Sequence, residues 1–327
     1  MTDILETVRP ALTRVPLSAA PLPPLDTSVR PYAGEHVTAG KHRLHVRHTP
    51  GNTEATAVFV HGLGGSSTNW TDLSTQLAGY ADGHSPDLPG FGRSEPVDGY
   101  DFSMVAHART MIGYIEGLGR GPVHLVGNSM GGTVSLIVAA ARPDLVRTLT
   151  LVSPAVPDLR PSLRRVSDPR LPLTVLPVIG RSVQRRLDAL GARVRTEQVM
   201  RLCFADPAVV PEHRVVESME EAVEMGGLPW VNAALNGSTL SLFRMWVTSG
   251  QWSLWRLAPL VKAPALVVWG ADDRLITVRR APRTARLLPR GRLLVLPRTG
   301  HVAQMERPVS VARAMLGMWE AVEKQTW

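Results

Sequence analysis

Apolar and polar positions along the chain follow two alternating rhythms. KHRLHVRHT (41–49) changes character at every second residue, the period of a half-buried strand. ATAVFVHG (55–62) is apolar almost throughout and predicts a strand buried on both faces. PVHLVG (122–127), VRTLTLVSP (146–154), PALVVWG (264–270) and GRLLVLP (291–297) are further strand candidates. Between them the spacing becomes helical: STNWTDLSTQLAG (67–79), FSMVAHARTMIGYIEGLG (102–119), the run from Ser129 to about Ala141, a segment near 277–287, and a closing stretch from Pro308. Strands that alternate with helices predict an α/β fold, a mostly parallel sheet covered on both faces.

Residues 155–260 break the alternation. RSVQRRLDALG, TEQVMRLCF, VVESMEEAVEM and STLSLFRMWVTS are helical in spacing, and no convincing strand separates them. The expected organisation is a Pro-rich arm (1–30), a core formed by 31–154 and 261–327, and a helical insertion at 155–260. DLPGFGRSEP (87–96) is a loop punctuated by glycine and proline.

One corner carries candidate chemistry. Gly127-Asn128-Ser129-Met130-Gly131 joins a predicted strand to a predicted helix. Such a turn strains the serine backbone, and glycines two residues to either side let the chain pass. The helix beyond it directs backbone N–H groups and a positive dipole end toward developing negative charge. Ser129 is thus the candidate nucleophile.

A serine nucleophile needs a base, and the base needs a carboxylate to orient it. Both are expected after later strands. His301 follows the strand at 291–297, and Asp272 and Asp273 follow the one at 264–270. Asp273 lies further into its loop and is preferred, with Asp272 serving the turn; Asp158 is a more remote third candidate. Oxyanion donors are expected from the Met130 N–H and from HGLGG, where Leu63 offers the best-placed amide. His61 in that segment is expected to fix the loop. His42, His45 and His48 raise the question of a metal, but strand alternation turns His45 away from the other two, and a solvated strand is the simpler reading. HGLGG lacks the spacing of a dinucleotide loop, and Gly127–Thr133 lacks the lysine of a phosphate loop.

In order, HGLGG, DLPGFGRS, GNSMGG, WGADDR and GHVAQMERP resemble the α/β-hydrolase superfamily from about residue 35 to the C-terminus. The resemblance implies that 155–260 is a cap domain. It further implies a carboxylic ester or thioester hydrolase in which Ser129 is acylated, His301 shuttles the proton, Asp273 holds the imidazole and water releases the acid, without metal or cofactor. Serine at 129 argues against the haloalkane dehalogenases and epoxide hydrolases, which carry aspartate there. The elbow and GHVAQMERP also resemble carbon–carbon bond hydrolases of ring-fission products. The chain departs from those at HGLGG, where they favour a longer glycine–proline loop, and at Val302, where they favour tryptophan. A catalytically silent binding module is the third class.

Composition narrows the partners. The net charge is +8, yet of 36 basic residues only Lys41, Lys262 and Lys324 are lysines, and no nucleic-acid motif accompanies the arginines, so nucleic-acid binding is not expected. Cys203 is the only cysteine, so no internal disulfide forms. No stretch reaches the roughly 18 apolar residues of a membrane span, and the acidic, proline-broken N-terminus does not read as an ordinary signal peptide. A soluble cytoplasmic protein is expected, its oligomeric state left open. An apolar stretch beside arginines at 171–195 is a candidate for peripheral contact with an anionic membrane. Large side chains of the insertion mostly suit core packing. Trp230, Met245 and Trp246 are those expected to line a cleft for a hydrophobic ester substrate.

Overall fold

Eight strands form one sheet: β1 (Gly34–Ala39), β2 (His42–Thr49), β3 (Thr56–Val60), β4 (Asp82–Pro86), β5 (Val123–Asn128), β6 (Val146–Val152), β7 (Ala265–Gly270) and β8 (Gly291–Leu296). Their spatial order is β1-β2-β4-β3-β5-β6-β7-β8. β2 is antiparallel to both neighbours, and every other pairing is parallel. This computed structural model describes residues 15–159, 191–250 and 253–327. The helices used below are α1 (Thr71–Leu77), α2 (Met104–Leu118), α3 (Met130–Ala141), α4 (Ala192–Cys203), α5 (Glu212–Gly226), α6 (Val231–Val247), α7 (Ala281–Leu287) and α8 (Pro308–Glu323).

The continuous apolar runs have the reason parallel strands always have: both faces are covered. Successive residues of β3, β5, β6 and β7 enter alternate layers. Val58, Val60, Leu125, Leu151 and Val267 pack toward α2, α3 and α7. Ala57, Phe59, Val126, Val152 and Val268 pack toward α1 and α8. Leu125 and Phe59 are wholly buried, so truncating either to alanine should cost about 2–5 kcal/mol.

Two strands have no apolar signature. β4 reads DGHSP, and four of its five residues are nonetheless buried. β1 is an edge strand, mostly exposed. The expectation of a solvated strand at 41–49 does not hold. Leu44 and Val46 of β2 are buried in the main core, and His45 and Thr49 are buried where they bond Asp87 and Ser74. His45 is 3% exposed and its Nδ1 lies 2.8 Å from Asp87 Oδ2.

The described part of the arm lies on the core. Ser18 N–H donates to Arg313 O of α8 at 2.9 Å, and Tyr80 Oη donates to Pro21 O at 2.6 Å.

Candidate active site

Ser129, Met130, Leu63, Asp273 and His301 all follow the carboxyl ends of parallel strands, where open α/β sheets place their ligands. Ser129 follows β5 with φ 52° and ψ −118° and caps α3. Its flanking glycines are required by close approach. A Cβ on Gly127 would stand 2.3 Å from Gly131 O, and one on Gly131 would stand 2.1 Å from Val60 O. The serine is held from the next strand, since its N–H donates to Val152 O at 3.0 Å. It remains partly exposed.

His301 and Asp273 come together across the ends of β7 and β8. The imidazole Nδ1 lies 2.8 Å from Asp273 Oδ2, with side-chain exposures of 4% and 0%. Asp273 Oδ1 accepts from the amides of Leu275 (2.9 Å) and Ile276 (3.0 Å), which leaves Oδ2 for the histidine. A carboxylate that accepts at Nδ1 makes Nε2 the free lone pair. Asn128 Nδ2 donates to His301 O at 3.1 Å, which seats the histidine backbone beside the residue preceding Ser129.

The other carboxylates go elsewhere. Asp272 is exposed, and its amide donates to Thr299 O at 2.9 Å. Asp158 is fully buried, and it accepts from Thr277 N at 3.1 Å and Arg280 Nε at 3.2 Å.

The HGLGG segment lies against the serine corner. An added Cβ on Gly62 would stand 3.2 Å from Ser129 Cβ. His61 Nδ1 donates to Gly62 O at 2.7 Å while its Nε2 accepts from Leu88 N at 3.0 Å. Burial holds this imidazole below its ordinary range, so it stays neutral and joins the two loops. Asp87 braces them from behind, accepting from Ser67 N (2.6 Å) and Arg93 N (3.0 Å) as well as from His45. Burial pushes this carboxyl up, but the His45 hydrogen bond and neighbouring donors outweigh it and keep Asp87 below the usual carboxylate range. Among the described residues, the amides of Leu63 and Met130 donate no hydrogen bond.

Two positions that the sequence reading left without a role support the histidine loop. Glu306 Oε2 accepts from Gly300 N at 2.7 Å and from Ala205 N at 3.3 Å. Arg274, next to Asp273, donates to Phe204 O at 3.0 Å and Ala205 O at 3.1 Å, so a cation meets the carbonyl end of α4. His301 N–H in turn donates to Cys203 O at 2.6 Å. Burial and the neighbouring Asp273 charge push the Cys203 thiol up to about 12, so it is no rival nucleophile.

Of the three large side chains assigned to the cleft, Trp246 reaches the serine corner. Trp246 Nε1 donates to Ala155 O at 2.9 Å, and Ala155 N donates to Ser129 O at 2.9 Å. Met245 packs beside Trp246 against the main core. Trp230 instead lines a hollow of about 380 Å³ with His36, Lys41, Arg43 and Arg93, far along the sheet order from β5. Residues 171–190 of the proposed membrane-facing stretch lie outside the described residues, and Arg193 is paired with Glu197 and Glu212. No helix among the described residues is long and apolar enough to cross a membrane.

The chain is similar to known proteins in sequence and in fold. An acetyltransferase component of an acetoin-cleaving system from Pseudomonas putida is 31% identical over 79% of this chain, which spans 62% of that protein's length. A 2-hydroxy-6-oxo-6-phenylhexa-2,4-dienoate hydrolase from Burkholderia cepacia is 27% identical over 84% of this chain and 90% of its own. The solved structure of a proposed lipase from Acinetobacter baumannii superposes with a TM-score of 0.72 at 20% identity, covering 90% of this chain and 93% of that one. The family model for the alpha/beta hydrolase fold matches residues 58–308, and with the eight-stranded topology it establishes that this chain belongs to the α/β-hydrolase family.

Proposed function

We propose that the protein is a serine hydrolase that cleaves a carboxylic ester or thioester with a hydrophobic acyl group. The observation that carries this is Ser129 at a strained strand-to-helix corner, seated through Asn128 against a histidine whose Nδ1 is engaged by a buried carboxylate. In this reading His301 Nε2 takes the Ser129 proton as Oγ bonds to the acyl carbon. The Leu63 and Met130 amides hold the oxyanion, and Asp273 stabilises the imidazolium. The imidazolium then protonates the departing alkoxide or thiolate. Water, deprotonated by the same nitrogen, attacks the acyl-enzyme and restores the serine.

The acyl preference rests on what surrounds the corner. Leu63 is 37% exposed, and Leu235 of α6 approaches the neighbouring Gly64. Ala155, Val156 and Val302 are buried nearby in sequence to Ser129's partners. Helices α4–α6 act in this account as a cap that sets chain-length selectivity. The second reading, cleavage of a carbon–carbon bond in a ring-fission product, is favoured by the likeness to the Burkholderia cepacia hydrolase over most of both chains.

A series of p-nitrophenyl esters from acetyl to dodecanoyl, run beside a dienoic keto acid, separates the two. Each buried methylene contributes roughly 0.8 kcal/mol, so kcat/KM should rise over several carbons and then plateau. Shortening Trp246 or Met245 should move that plateau. A flat ester series with rapid turnover of the keto acid would select the carbon–carbon reading.

A further inference from the structure

A second group of chemistry-bearing side chains stands at the opposite edge of the sheet. Asp82 opens β4, whereas Ser129, Asp273 and His301 follow the ends of their strands. Register brings the group together. His48 of β2 lies directly opposite His84 of β4, and Asp82 precedes His84 by two residues, so all three share one face. His48 Nε2 is 2.7 Å from Asp82 Oδ1, and His84 Nε2 is 3.2 Å from Asp82 Oδ2. All three ligand atoms lie within 4.8 Å of one another. Donors around a tetrahedral ion with zinc-like bond lengths sit roughly 3.3 Å apart, so small side-chain rotations would close the site.

Its surroundings suit an ion. Asp82 and His84 are 7% and 12% exposed, while His48 at 39% leaves one side open to solvent. Gly51 N–H donates to Asp82 Oδ1 at 3.0 Å and fixes the carboxylate. Tyr114 Oη lies 2.9 Å from His84 Nδ1. A phenol can donate or accept, so His84 can carry its proton on Nδ1 and offer the Nε2 lone pair without losing that partner. Arg120 Nη1 occupies Asp82 Oδ2 at 2.6 Å, but the arginine is 49% exposed and can swing outward.

We propose that His48, Asp82 and His84 bind a divalent transition-metal ion of the zinc class, with water completing the shell and Arg120 as the displaceable cation. Two imidazoles and one carboxylate select such ions over calcium or magnesium. The ion would tie β2 to β4 and stabilise the native state by mass action, with no part in the chemistry at Ser129.

The test is a Zn²⁺ titration of chelator-treated protein against a chromogenic competitor, alongside thermal melts and the visible spectrum of the Co²⁺ form. One ion per chain, a higher Tm with Zn²⁺ and a tetrahedral Co²⁺ spectrum are expected. His48→Gln should weaken binding by about tenfold or more while its metal-free Tm stays near wild type. Arg120→Ala should tighten binding. Ester turnover should be equal with and without chelator. No Zn²⁺-dependent rise in Tm, or wild-type affinity in His48→Gln, would overturn the proposal, because the three groups would then be only an ion-pair network.

Discussion

At φ 52° and ψ −118° Ser129 holds a backbone conformation that costs a non-glycine residue about 1–3 kcal/mol. Stability and chemistry should therefore separate at this position. Ser129→Gly should melt higher than Ser129→Ala, by about 1 kcal/mol in chemical denaturation, while neither turns over ester. A glycine variant less stable than the alanine one would mean that the surrounding glycines do not impose the strain. The carboxylates separate in the same way. Asp273→Asn should lower kcat by about 10⁴ through the wrong imidazole tautomer, while Asp272→Asn, whose side chain is exposed, should stay within a few-fold. Steady-state kinetics on the two variants reads this directly, and a worse Asp272→Asn would reverse the assignment. The contact of Asp273 with His301 was legible in the sequence from the depth of Asp273 in the loop after β7. Glu306 and Asn128 were not, because their contacts with the histidine loop depend on how distant segments meet.

The elements show the same division between what periodicity encodes and what tertiary position imposes. The continuous apolar strands announce themselves because both their faces are covered. β4 does not: DGHSP is buried by its neighbours, and its polar side chains are satisfied by Arg120, His48 and Tyr114. That omission hid the His48, Asp82 and His84 group, since two of its members lie on the unrecognised strand. Between helices, His107 of α2 bonds Ser238 Oγ of α6 at 3.0 Å and Tyr100 Oη at 3.1 Å. Burial depresses this imidazole to about 3, and His124 of β5, stacked on Trp319 of α8, likewise to about 3. The unfolded chain binds these protons near 6.5 and the folded chain only near 3. The stability is therefore complete above 6.5 and is lost as pH falls from there toward 3. Each histidine should contribute about 2 kcal/mol of that loss between pH 7 and pH 5. Tm measured across this range should fall for wild type and fall less for His107→Gln. An equal fall in the variant would remove His107 from the account.

For the whole molecule, one sheet carries the candidate catalytic groups at the carboxyl ends of its strands and a separate polar cluster at the amino edge of β4. The motif order from HGLGG to GHVAQMERP made the fold legible, because those loops are the ones that follow β3, β4, β5, β7 and β8. The substrate was not legible, because the side chains that α4–α6 set against the core are chemically generic. The central claim is that Ser129 forms the acyl-enzyme. Its most direct measurement is peptide mapping by mass spectrometry after treatment with a fluorophosphonate, together with intact mass during turnover of an activated ester. The account predicts one adduct per chain, located on Ser129 and absent from Ser129→Ala, and an acyl-enzyme of the matching mass during the burst. An adduct on any other residue, or undiminished labelling of Ser129→Ala, would contradict it.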